Sequence, residues 1–267
     1  MEQIKSISGR IPGKDFTQAN REVLLLYHGY KDILNPILEF NIFWKLYHSE
    51  KLVEINYTLF YSGEKTVGFS AAFFYSVLIK GKPCYIARAA TGLSEDKQGK
   101  RLHDKINLYS KFVRFKLRHP FKPLVVTAFV INPLLFAELC KYIPRIYPGS
   151  GKDIPEHFIQ LKDEFSESSD PENDILHPNS AKVLFQVEFN ETLLKRIFGS
   201  EDAAVKWFCK ENPYFLNQYG LRVIIPVTMS NILGTCLNLT KDFYRKKWLP
   251  KESYVRQIGQ SPRLLNK

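Results

Sequence analysis

A chain of 267 residues with 45% apolar side chains is long enough to bury one large core, and one extended domain is the expectation. No run approaches the roughly 18 apolar residues of a membrane span, and residues 1–10 lack the apolar stretch of a signal peptide, so a cytoplasmic protein is expected. The formal charge of +11 directs the chain toward nucleic acid, an anionic membrane, a polyphosphate cofactor or an acidic protein. No recognition motif or aromatic-plus-basic pattern supports nucleic acid, and Cys84, Cys140, Cys209 and Cys236 lie too far apart for a close-spaced metal or redox motif.

Two helices are predicted first, at 17–29 and 34–48, separated by Gly29 and by the start signal Asn35-Pro36. Ile37, Leu38, Ile42, Phe43 and Leu46 give the second an amphipathic face. Three strands follow at 53–61, 66–79 and 83–92, joined by the hairpin signals Ser62-Gly63-Glu64 and Lys80-Gly81-Lys82-Pro83. The period then changes: Leu102, Ile106, Tyr109 and Val113 recur every three or four residues, the buried stripe of a helix ending near Arg118. Pro123 precedes an apolar strand at 124–131, and Asn132-Pro133 opens a helix that buries Leu135, Phe136 and Leu139. Residues 163–174 hold six acidic side chains and Pro171, which argues for an exposed loop. A strand at 182–189, a helix at 201–210, a strand at 221–227 and a helical stretch at 229–247 complete the expectation.

Chemistry concentrates where the third of these strands runs into the helix, at Thr91-Gly92-Leu93-Ser94-Glu95-Asp96-Lys97-Gln98-Gly99-Lys100-Arg101-Leu102-His103. A helix start presents unpaired N–H groups and a partial positive charge, which favour a phosphate. The segment resembles the pyrophosphate loop of the GNAT superfamily of N-acetyltransferases, of pattern Q/R-x-x-G-x-G/A, with Gln98 at the initial position and Gly99-Lys100 after it. The two later glycine positions are Arg101 and His103, where larger side chains crowd a pyrophosphate and Arg101 instead suits a single phosphate. The strand at 125–131 followed by Asn132-Pro133 is similar to the family's fifth strand and fourth helix, which splay from the fourth strand to admit a pantetheine arm.

The resemblance implies an α/β (α+β) fold, a mixed, mostly antiparallel sheet flanked by helices. It divides the chain into a donor-binding domain (1–150), a connecting loop (151–181) and a C-terminal extension (182–267) packed on the same domain and shaping the acceptor site. It implies an acyltransferase moving an acyl group from acetyl-CoA or another acyl-CoA to an amine, on a small molecule, a peptide or a lysine side chain. Thr91, Gly92, Leu93, Gln98, Gly99, Lys100, Arg101, Leu102, His103 and Asn132 are its expected donor-binding residues. The tyrosine that protonates the departing thiolate in many members falls at Leu139 or Cys140, so Cys140 and Tyr142 are the candidate catalytic residues there. Glu54 on the first strand of the meander is a candidate base for the amine. Two alternatives stand beside the acyl-CoA enzyme. Nine Lys or Arg between 97 and 122 suit an acidic acyl carrier protein as donor, and the lost glycines suit a binding protein of the same fold without catalysis.

Overall fold

The computed structural model describes residues 4–34, 38–79, 81–94, 101–149, 155, 180–183 and 189–248, and for 101–107, 180–182 and 246–248 the backbone only. Seven strands form one sheet: β1 (Ile4–Pro12), β2 (Leu52–Ser62), β3 (Lys65–Ile79), β4 (Lys82–Leu93), β5 (Leu124–Val130), β6 (Ser180–Lys182) and β7 (Tyr219–Pro226). Their order is β1-β2-β3-β4-β5-β7-β6. Every neighbouring pair is antiparallel except β4–β5, which is parallel. Helices α1 (Arg21–Leu34), α2 (Phe40–Tyr47), α3 (Arg101–Arg118), α4 (Pro133–Tyr142), α5 (Glu191–Phe198), α6 (Ala203–Glu211) and α7 (Met229–Trp248) complete the described elements. No helix among the described residues is long and apolar enough to cross a membrane.

Alternation along the strands builds two faces. Ile55, Leu59, Phe69 and Phe73 meet Leu26 of α1 and Phe43 of α2, whereas Phe74, Tyr85, Leu124 and Val126 meet Phe112 and Phe115 of α3. Phe74 stacks on Phe115 with ring centroids 3.9 Å apart, and Tyr47 stacks on Phe73 at 3.8 Å, so adjacent residues of β3 anchor opposite layers. A third cluster, around Phe136, Phe208 and Val223, joins α4 and α6 to β7. Because β7 pairs with β5 from Val125↔Pro226 to Val130↔Leu221, the C-terminal segment is part of the same sheet.

The meander β2–β4 lies within a residue or two of its expected bounds, and several other expectations are corrected. Strand β1 was not predicted: it is an edge strand in which only Ile11 is buried, so it carries no apolar alternation. The first helix begins later than expected, because Asn20 accepts a hydrogen bond from the Glu22 N–H at 2.8 Å and fixes the start. Gly29 does not end it. A Cβ there would stand 2.5 Å from Leu59 Cδ2, so glycine lets α1 lie close on β2. In α2 the buried residues are Phe43 and Tyr47, while Ile42 is exposed. Among the described side chains of α3, from Leu108 on, Lys111, Phe112 and Phe115 are buried, and the expected Tyr109 and Val113 pack partly buried against the same core. Helix α5 went unread, although Asn190 caps it by accepting from the Leu193 N–H at 2.9 Å. The strand expected at 182–189 is described only at its start, and the acidic stretch 163–174 lies outside the described residues.

One buried carboxylate ties three elements together. Glu54 of β2, 1% exposed, accepts from Arg10 Nε of β1 at 2.7 Å, from Asn56 Nδ2 at 2.8 Å and from Arg118 Nη1 of α3 at 2.9 Å. Burial pushes its carboxyl up, but hydrogen bonds from Arg118, Asn56 and Arg10 outweigh burial and hold it below its ordinary value. Its contribution to stability is therefore present above the unfolded carboxylate pKa and lost as pH falls through the lower folded value. Glu54→Gln should cost about 2 kcal/mol at neutral pH, and the difference from wild type should shrink below about pH 4. Denaturant titrations of both proteins at the two pH values measure this.

Candidate active site

The parallel pair β4–β5 is joined over four rungs, from Tyr85↔Leu124 to Arg88↔Thr127. Past that point each strand keeps only its outer partner: β4 stays paired with β3 to Gly68↔Leu93, and β5 with β7 to Val130↔Leu221. The sheet therefore opens into a gap between two supported edges. Hydrogen-bond direction fixes what faces it, because N–H groups alternate sides along a strand. Tyr85 donates its N–H toward β5, to the Pro123 carbonyl at 2.8 Å, whereas Ser94 donates toward β3, to the Val67 carbonyl at 3.0 Å. The register between them is unbroken. Odd-numbered residues of β4 thus aim their backbone toward β5, and the N–H groups of Thr91 and Leu93 point into the gap.

Gly92 differs from its neighbours. Its backbone faces β3, and a Cβ would meet Ile33 Cγ2 at 2.6 Å and Leu34 Cδ2 at 2.8 Å, so its bareness admits the end of α1. On the opposite rim, Asn132 caps α4 through its side-chain oxygen, which accepts from the Leu134 N–H at 2.9 Å. Pro133 follows at the first helical position, where its missing N–H costs nothing. Gln98, Gly99 and Lys100 lie outside the described residues, and for Arg101, Leu102 and His103 the backbone alone is described, in the opening turn of α3.

Each of the three candidate catalytic side chains is engaged by neighbours of its own. The hydroxyl of Tyr142 donates to Asp242 Oδ2 of α7 at 2.7 Å, and Lys141 holds the other oxygen of that carboxylate at 2.7 Å. Cys140 packs with Leu139 against the cluster around Phe136 and Phe208. Glu54 is engaged by two guanidinium groups, and a carboxylate stabilised in that way is a poor base. Among the described residues no group of three or more His, Cys, Asp or Glu is arranged to hold a metal.

A residue that the sequence reading passed over stands beside the gap. Lys111 of α3, 7% exposed, donates to Thr58 Oγ1 at 2.9 Å and to Ser70 Oγ at 3.0 Å, and Ser70 is the cross-strand partner of Thr91. Burial, with a smaller contribution from the Arg114 charge, pushes its ammonium down to about 8. The signal was its spacing of three and four residues from Leu108 and Phe115, on the buried stripe. With the folded value lowered, the unfolded state holds the extra proton between about pH 8 and 10.4, so this lysine makes the fold more stable as pH rises through that range. An NMR titration of the Lys111 side chain should give a midpoint near 8, and Lys111→Met should flatten the alkaline rise in stability.

No family profile and no curated protein matches the chain. Among solved structures it is similar to an aminoglycoside acetyltransferase, meta-AAC0020, from an uncultured soil metagenomic sample, in complexes with trehalose and with sisomicin. In each case the identity is 14%, the TM-score 0.29, and the match covers 45% of this chain and 76% of that one. A likeness at that level carries no weight by itself, and the sheet speaks more directly. With an antiparallel meander running into one parallel strand pair that parts at its end, a helix after β4 and another after β5, the chain has a GNAT-like fold.

Proposed function

We propose that the protein is an N-acyltransferase that takes its acyl group from a thioester donor, acetyl-CoA or another acyl-CoA, and passes it to an amine. The supporting observation is the gap between β4 and β5, whose β4 edge carries the N–H groups of Thr91 and Leu93 beyond the last rung at Arg88↔Thr127. The amide-bearing pantetheine arm matches that edge as a strand would, and the segment from Gln98 to His103 receives a donor phosphate at the helix start.

In the reaction the amine nitrogen attacks the thioester carbonyl carbon, a C–N bond forms and the C–S bond breaks. One proton leaves the nitrogen and one ends on the sulfur. The protein's contribution is to hold the thioester in line with the amine and to polarise its carbonyl with preorganised backbone donors. Lys111, adjacent to Thr91 through Ser70 and with its ammonium pushed down to about 8, adds a tunable charge behind that edge. Arg101 and His103, in place of glycines, favour a donor with a single phosphate on its arm. An acyl carrier protein is accordingly the second reading of the donor, in a cytoplasmic setting.

A donor that binds only the folded state raises the unfolding midpoint. At about a hundred times the dissociation constant the gain is about 2.7 kcal/mol, or roughly 5–10 °C for a chain of this size. Acetyl-CoA or a long-chain acyl-CoA should produce that shift and Arg101→Glu should abolish it. A shift with acyl carrier protein alone, weakening steeply with salt, selects the second reading. No shift with any thioester leaves a binding protein without a donor site.

A further inference from the structure

Arg88 occupies the last rung before the strands part, opposite Thr127 of β5 and Phe73 of β3. Phe73 belongs to the core beneath α1 and α2, so the Arg88 side chain stands on the face of the sheet opposite α3. Its guanidinium lies 5.3 Å from the centre of the Tyr47 ring, and Nη1 donates to the Leu46 carbonyl at the end of α2 at 2.7 Å. The Tyr75 hydroxyl hydrogen-bonds with Arg88 and donates to the Tyr47 carbonyl at 3.0 Å, while the side chains of Tyr30 and Tyr47 hydrogen-bond to each other. Three buried tyrosines therefore surround one half-buried cation.

Capping of α2 explains part of this arrangement, since a cation suits a helix C-terminus. It does not use the whole group. Of five N–H donors, one goes to Leu46 and one bond joins Tyr75, and no carboxylate among the described residues forms an ion pair with Arg88. Arg10 and Arg118 show the contrast: their side chains are 57% and 37% exposed, yet both share the Glu54 carboxylate. The more shielded arginine is the one left without an anion. A partly shielded guanidinium with N–H donors to spare suits a carboxylate, the anion that such a group recognises best.

We propose that Arg88 receives a carboxylate carried by the acyl acceptor, so that the acceptor is an amino acid or a peptide presenting a free acid rather than a polycationic amine. The assignment of this ligand as the acceptor rests on the acyltransfer reading; the anion site itself does not. Its place fits both halves of the reaction. The donor edge at Thr91 and Leu93 begins three residues beyond Arg88 on the same strand. A chain of net charge +11 also attracts anions and repels polycations.

The test uses N-acetyl amino acids, from glycine to phenylalanine and glutamate, each paired with its carboxamide, and reads binding to the whole chain by calorimetry. The free acids should bind roughly tenfold to a hundredfold more tightly than their amides. Arg88→Gln should erase that preference, and Arg88→Lys, which keeps the charge but not the fork, should restore only part of it. Equal binding of acids and amides to the wild type overturns the proposal without any variant, and so does a preference that survives Arg88→Gln. Stabilisation by acetyl-CoA with no preference for acids removes the role of Arg88 alone. An acid preference in a chain that binds no thioester keeps the anion site and removes acyl transfer.

Discussion

The parallel ladder of β4 and β5 is short, and the proposed function depends on its shortness. Four rungs hold the strands together at one end, and beyond Arg88↔Thr127 each is held by its other neighbour. Keeping two unsatisfied backbone edges apart is costly unless both are braced. On one side α1 reaches Gly92 through Ile33 and Leu34, and on the other Asn132 and Pro133 turn β5 into α4. The result is a slot with backbone donors on its wall, preformed before any ligand arrives.

Electrostatics around the slot is graded by function. Glu54 bridges Arg10 and Arg118 and fastens the last turn of α3 to the sheet, a structural use of charge. Lys111 is buried among hydroxyls, where burial pushes its ammonium down to about 8. Arg88 is shielded and keeps unused donors at the rung where the slot opens. Lys111 and Arg88 thus set two partly shielded positive charges next to the strands that part.

The meander, β5 and α4 were legible because local chemistry and tertiary packing agree there. Gly63 and Gly81 adopt the positive φ of hairpin turns, β5 is a continuous apolar run, and Asn132-Pro133 starts α4 as a capping pair does. The failures share a cause: tertiary contact overrode local preference. Gly29 reads as a helix end until Leu59 is seen against it, and β1 has no apolar alternation because its partner β2 supplies the pairing. The burial of Lys111 in α3 went unread because a lysine reads as a surface residue. At the site, Thr91 and Leu93 were named from the resemblance, but only the ladder separates them from Gly92. Arg88 was invisible because its meaning lies in the absence of a carboxylate partner, which no single sequence records.

The central claim is that the donor's pantetheine arm pairs with the free edge of β4, and residue-resolved amide hydrogen exchange tests it most directly. On saturation with acetyl-CoA or a long-chain acyl-CoA, the N–H groups of Thr91 and Leu93 should become protected, while Gly92, already bonded toward β3, should change little. Unchanged exchange at Thr91 and Leu93 in the presence of a bound thioester would contradict the account, because the donor would then lie somewhere other than the gap.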